Sequence, residues 1–417
     1  MQRVVLNVRF VALVVMGATF APLCAAGETD ASFPTLLNYY HAADAALIVK
    51  RAYVEPPTAN DEEAVVETVQ VLRDSSNSIV AGSRISVRGG LPATPDKLAL
   101  VLGSRAANTN YHNLGSMYWC STCRHSMGRP IYDGIRWEAR SLDMSPAAIE
   151  FVRGSPSPAI VIERRLEYFA KSLDAADAMI AREAFAEIAN AVNDGKYLPI
   201  ADLSPQKIRI WLLDPTTPMI RRGVYGVMLG MCGVPDDATV LDAIIADPNA
   251  GPDGPVGIEG VMIGYLFLEG ERGLKSLEIR ILADRESSDF DVYSLYLAMR
   301  YLRRHGNGKI PLERINAAMK LLLGRPGLEE VAIHDLAAAK DWSLQKQLME
   351  RYGTGQFGEK STKRAIINYM IASTKDVPKI SSEPLPPHAS DGAKYLEQLR
   401  ATDAKLVADA EEFFFLR

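Results

Sequence analysis

Residues 218–232 read "PMIRRGVYGVMLGMC" and residues 258–270 read "IEGVMIGYLFLEG". In both, apolar side chains recur at three- and four-residue steps, the period that gathers them on one side of an α-helix. Thr217-Pro218 ahead of the first stretch pairs an N-cap with proline at the first helical position. Gly233 behind it is a stop.

The same period runs through "AIVIERRLEYFAKSL", "AMIAREAFAEIANAV", "DVYSLYLAMRYLRR", "LERINAAMKLLL" and "KRAIINYMIAS". Ser204-Pro205 is a second explicit start, and Gly195, Gly270, Gly306 and Gly353 stand where helices should end. Links are short, so neighbouring helices form antiparallel hairpins. Phe185, Tyr225, Met262, Tyr296, His334 and Ile367 occupy equivalent places in the second helices, at steps of 33 to 40 residues. Such a step marks helical pairs that each need a neighbour to cover their apolar face. Residues 159–380 are therefore expected to form an α-solenoid of HEAT-like helical hairpins. A Pro-rich link, 381–390, contains "SSEPLPPH". Helix resumes from Asp391 as a C-terminal helical cap over 391–417, whose Phe413, Phe414 and Phe415 dock it onto the repeat beneath.

Upstream the period changes. "ALIVKRAYV" (46–54), "AVVETVQVLR" (64–73), "RISVR" (84–88) and "KLALVLG" (97–103) are rich in β-branched residues and separated by turn clusters. "LALVLG" is apolar on both faces and belongs in the middle of a sheet. Residues 27–103 are expected to be a small antiparallel β-sheet that curls into a partial β-barrel. It resembles an oligonucleotide-binding or netrin-like small barrel, without a motif to carry function. Residues 104–158 read as an irregular, Cys-containing linker with one helix starting at Ser145-Pro146. The class is α+β and multidomain.

The chain opens "MQRVVLNVRFVALVVMGATFAPLCAA". Arg3 and Arg9 flank an apolar stretch shorter than the roughly 20 residues of a spanning helix, and small residues close it. Residues 1–26 read as a signal peptide cleaved before Gly27, so the protein is expected to be secreted or periplasmic, with no membrane span after cleavage. A lipid anchor on Cys24 fits poorly, because bulky Leu23 stands where a small residue belongs. An apolar share of 48% with 23% charged residues is that of a globular protein. The net charge of −5, without a Lys/Arg run, offers no grip on a phosphate backbone, so nucleic acid is not expected as a partner.

The order of leader, strand domain, "RLEYFAKSLDAADAMIAREAFAEIANA", "WLLDPTTPMIRRGVYGVMLGMCG" and "DGAKYLEQLRATDAKLVADAEEFFFLR" resembles a family of secreted planctomycete proteins. The similarity covers nearly the whole chain after the leader, and its helical part is the more specific. The resemblance implies HEAT-like helices and export. It transfers no catalytic or binding residue.

Chemistry concentrates in "YWCSTCRH" (118–125). A Trp before Cys-x-x-Cys resembles the thioredoxin site, whose thiolate needs a helix N-terminus. Here Gly and Pro follow within seven positions and no helical period appears. Haem attachment needs His directly after the second Cys, but Arg124 stands there. Two readings remain. Cys120 and Cys123 form a disulfide, a tight clip suited to an oxidising compartment; or His112, Cys120, Cys123 and His125 hold zinc, although Cys123 and His125 are closely spaced for one tetrahedral ion. Cys232 reads as a small core residue. "DPNAGPDG" (247–254) spaces Asp247, Asn249 and Asp253 like part of a calcium loop but has Ile258 at the twelfth position. His334-Asp335 reads as solvated or satisfied. No nucleophile elbow, phosphate loop or His-Glu-x-x-His occurs.

The expected function is a non-enzymatic exported scaffold that binds another protein through its helical-repeat surface, without a cofactor. The alternative is a zinc- or thiol-dependent protein centred on the Cys120/Cys123 loop. Oligomeric state is left open.

Overall fold

A computed structural model describes residues 35–52, 63–75, 77–88, 97–105, 131–132, 135–197, 202–217, 219–247, 257–378, 384–412 and 414. The described chain falls into two compact units, 32–203 and 204–417. Together they are an α+β protein, mostly helical.

The first unit starts with a short helix, α1 (Leu36–Ala42), capped by Thr35, whose side chain accepts from the Asn38 amide. Strands β1 (Ala45–Arg51), β2 (Glu63–Asp74), β3 (Arg84–Arg88), β4 (Ala99–Arg105), β5 (Ile131–Tyr132) and β6 (Ile135–Asp143) then form a sheet of order β3-β2-β1-β4-β6-β5. The β1–β2, β2–β3, β1–β4, β4–β6 and β5–β6 ladders are antiparallel. Alternate residues Ala45, Leu47, Val49, Ala99 and Val101 meet Val66, Ile85 and Val87 in one core. β1 and β4 are covered on both faces, as the double-sided apolarity of "LALVLG" requires.

Two expectations need correcting. β5, β6 and α2 (Pro146–Gly154) lie within 104–158, so that segment is not simply irregular. The sheet is also not a closed barrel. Its end strands β3 and β6 meet at a single parallel pair, Arg88 opposite Glu138, and one pair is not a ladder.

Helix α2 has the expected start: Ser145 accepts from the Ala148 amide at 3.0 Å, with proline in the first turn. Helices α3 (Ile162–Ala170) and α4 (Ala178–Asn193) complete this unit.

The second unit runs α5 (Pro205–Leu213), α6 (Met219–Cys232), α7 (Asp237–Ile245), α8 (Ile258–Glu269), α9 (Glu271–Leu277), α10 (Asp289–His305), α11 (Leu312–Leu321), α12 (Glu329–Ala338), α13 (Gln345–Arg351), α14 (Lys360–Lys375) and α15 (Pro387–Glu412). A π-turn, Glu278–Leu282, extends α9. Ser204 caps α5 as expected. Thr217 instead donates its hydroxyl to the Trp211 carbonyl at 2.6 Å, while Pro218 lies outside the described residues. α15 begins at Pro387, four residues before the expected Asp391, and bends at Asp403. Gly270 joins α8 to α9 at φ 61°, a left-handed turn that favours glycine.

Consecutive helices pack on one another along this unit. α6 lies on α8, α8 on α10, α12 on α14 and α14 on α15. A second set is stitched by ion pairs: Arg209 to Asp237 at 2.7 Å, Arg280 to Asp242 at 2.6 Å, and Arg314 to both oxygens of Glu278 at 2.5 and 2.7 Å. Lys375 sits 3.8 Å over the ring of Phe414, so that aromatic residue rests on α14.

The α6/α8 contact is made almost without side chains. Gly223, Gly226 and Gly230 on α6 face Gly257, Gly260, Val261 and Gly264. A Cβ on Gly223 would lie 2.6 Å from the Gly257 carbonyl oxygen, and one on Gly226 would lie 2.7 Å from the Val261 Cα. The register advances in the same direction on both helices, so they run parallel. Every residue from Ile258 to Leu266 is buried, which is why this stretch is apolar on all sides.

Candidate functional site

The predicted site residues His112, Cys120, Cys123 and His125 lie outside the described residues, as do Asn249 and Asp253. Cys232 is the last residue of α6, free and half-buried rather than in the core. Burial, then the nearby Asp237 carboxylate, pushes its thiol up to about 11, so it is protonated and unreactive at neutral pH. Among the described residues no group of three or more His, Cys, Asp or Glu is placed to hold a metal.

In the 32–203 unit, the polar chemistry gathers around α1. Glu183 and Glu187 are one turn apart on α4 and both are buried. Glu183 accepts the Leu36 amide at 2.8 Å. Glu187 accepts the Thr35 hydroxyl on one oxygen and Arg165 at 2.6 Å on the other. Two carboxylates thus grip the N-terminal end of α1, where amide groups point outward and favour negative charge. Burial raises the Glu183 pKa against the opposing amide bond. These oxygens are committed to holding a helix.

A Ser–His contact lies nearby. His41 Nε2 is 3.0 Å from Ser155 Oγ. The single hydroxyl hydrogen of Ser155 goes to the Val152 carbonyl at 2.7 Å, so His41 must donate. A nucleophilic serine needs the reverse arrangement. Burial, with Arg73 and Arg165 adding to it, pushes the imidazole down to about 4, so His41 is neutral at physiological pH. The pair is a tether.

In the 204–417 unit, a buried ion network joins α10 to α12. Arg303 donates to the Asp335 main-chain oxygen at 2.7 Å and to its carboxylate at 3.0 Å. Arg300 Nε stands 3.1 Å from the other carboxylate oxygen, with its guanidinium 5.6 Å from the centre of the Tyr296 ring. Arg300 and Asp335 are 8% and 6% exposed, so neither charge has water to lean on. Asp335 is satisfied, as read from the sequence, but by two arginines rather than by solvent. With both carboxylate oxygens engaged, Asp335 cannot act as a base. Partial burial, then the charges of Arg300 and Arg303, lowers the pKa of neighbouring Arg304.

The remaining feature is a surface. An open groove of about 520 Å³ lies between the end of α5 and one side of α7, lined by Leu213, Val240, Ala243 and Ile244, with Asp247 at one end. Leu213 is 55% exposed and Ile210, on the same helix, 68%. Ile279, Leu312 and Leu321 are exposed on the later elements of the stitched set.

Sequence reasoning missed Arg300, Asp335, Glu183 and Glu187. Their signal was present: charged residues at the apolar step of a helix, such as Arg300 within "SLYLAMRYL", have to be paired once buried. The groove had no comparable signal, because exposed aliphatic residues look like core residues in one dimension.

Comparison with known proteins adds no name to this geometry: no family description, curated protein or solved structure matches the chain.

Proposed function

We propose that this chain is an exported scaffold whose 204–417 helices bind another protein, and that these helices stack as a HEAT-like solenoid. The stacking is supported by the two sets of helix contacts and by their spacing. Arg280–Asp242 and Arg314–Glu278 span 38 and 36 residues, close to the repeat step in the sequence. Helical-repeat arrays present extended faces to partners. Export is supported by the leader-like residues 1–26.

The observation that carries the binding reading is the groove between α5 and α7. Its walls are aliphatic, it opens to solvent, and exposed Ile210 and Leu213 continue it along α5. Exposed apolar residues that lie together, with a polar rim, mark interaction sites. Asp247 at one end and Asp214, which follows Leu213, give that rim negative charge. The occupant it fits is a segment of a partner protein with aliphatic side chains beside Lys or Arg.

The test pairs wild type with Leu213→Asp/Val240→Asp, cross-linked in an envelope extract and read by quantitative mass spectrometry. A specific protein bound by wild type and lost at least tenfold in the variant, with unchanged circular dichroism, is the expected result. Equal capture by both proteins overturns the proposal. So does a wild-type dimer in light scattering that the variant splits, because the groove would then be filled by a second copy.

A further inference from the structure

Glu259 is the second residue of α8 and only 6% exposed, in a helix whose neighbouring residues are all buried. Its carboxylate accepts its own main-chain amide, and among the described residues it has no hydrogen bond or ion pair to any other residue. The contrast with other buried acids is plain. Glu187, Glu278 and Asp335 each meet at least one arginine.

Charges on the elements packed against α8 are engaged elsewhere or too far to act. On α7, Asp237 and Asp242 pair with Arg209 and Arg280. On α9 and its π-turn, Arg272 and Lys275 pair with Glu269 and Glu278. On α10, Arg300 and Arg303 are held by Asp335, and Asp289 and Asp291 occupy the first turn. On α6, Arg222 has a buried Nε with no partner, yet neither Arg221 nor Arg222 contributes to the state of Glu259. Burial alone dominates it, and pushes its pKa up to about 7.

The position matters as much as the environment. Glu259 lies between Gly257 and Gly260, the two residues that touch Gly223 across the glycine seam. A newly formed carboxylate there needs water, and water can reach it only if packing around the first turn of α8 loosens.

We propose that Glu259 makes the α6/α8 seam a proton-controlled joint, closed while the carboxyl is protonated and loosened when it ionises. The sign follows from linkage. The folded protein holds a proton that the unfolded chain releases near the usual glutamate value, so the stabilising contribution is complete in acid. It is lost as pH rises from about 4.3 to about 7. α7 packs on α8 and also forms one wall of the groove, so loosening the seam disturbs that wall. The joint itself does not depend on the groove being a binding site.

Hydrogen exchange of the α6 and α8 amides, corrected for intrinsic pH dependence and referenced to β1 and β4, reads the joint directly. Opening of the seam in wild type is expected to rise about a hundredfold between pH 4.5 and 8. In Glu259→Gln, which keeps the shape and cannot ionise, that rise should vanish. A rise that persists in Glu259→Gln overturns the proposal. Carbon-13 NMR of wild type is a second test that needs no variant: titration of the Glu259 carboxyl near 7 supports the joint, and titration near 4 rejects it.

Discussion

Two seams between neighbouring helices of the 204–417 unit solve the same packing problem in opposite ways. Where α6 meets α8, side chains are removed, and glycines on both helices let backbone rest on backbone. Where α10 meets α12, long charged side chains are inserted, and Arg300 and Arg303 close on Asp335. The first seam gains from dispersion over a close, rigid contact and has no way to adjust. The second must overcome the desolvation of three charges and recovers it through directed hydrogen bonds. A glycine seam thus fails by overlap, while an ion-filled seam fails by leaving a charge alone.

The largest effect follows from that difference. Gly264→Val should abolish folding of the 204–417 unit, because its Cβ would overlap the Gly226 carbonyl and no neighbouring side chain can swing away. Gly324→Ala is the control, since a Cβ there meets nothing within 4 Å. Thermal unfolding followed by circular dichroism separates the two. A Gly264→Val protein with the wild-type transition would show that the backbones are not in contact.

The second seam predicts a smaller but still large loss. Asp335→Ala strands two arginines in a buried site and should cost about 3–5 kcal/mol in urea unfolding. The sharper version adds Arg300→Met and Arg303→Met to Asp335→Leu. If the seam works by directed pairing, the all-apolar variant should recover most of that loss, because stability never depended on the charges as such. A triple variant as unstable as Asp335→Ala would show that the arginines also position something beyond α12.

These seams also show what a one-dimensional reading can and cannot reach. The step of three and four residues locates α6, α8, α10 and α14, and β-branched runs locate β1 to β4, with β3 matching its expected 84–88 span. β6 escapes because its alternation, Ile135-Trp137-Ala139, slips before Leu142. The register shift opposite Ala99/Leu100 is the structural counterpart of that slip. α1, only seven residues long, is too short to show a period. The glycines of "RRGVYGVMLG" and "GIEGVMIG" do not disturb the apolar step and so pass unnoticed, although glycine inside a helix at this spacing signals close backbone approach. Periodicity also marks a helix without saying which body it joins: α3 and α4 belong to the unit that contains the sheet. As for the site, paired charges at apolar steps are legible in principle. The groove is not, because burial is decided by residues distant in sequence.

The smallest effect lies outside both seams, in the ion pairs that stitch α7, the α9 turn and α11. Arg314 meets both oxygens of Glu278 in a fork, and the hydrogen bonds to Glu278 raise the pKa of the guanidinium. Arg314 is partly exposed, so water offers an alternative partner and salt screens the attraction. Arg314→Ala should therefore cost only about 1 kcal/mol, and raising the salt concentration should shrink the difference between variant and wild type. The buried Arg303–Asp335 pair should keep its full contribution under the same salt, because ions cannot enter that seam. Equal salt sensitivity at the two positions would mean that α10 and α12 admit solvent, and the distinction between an ion-filled seam and a surface stitch would fail.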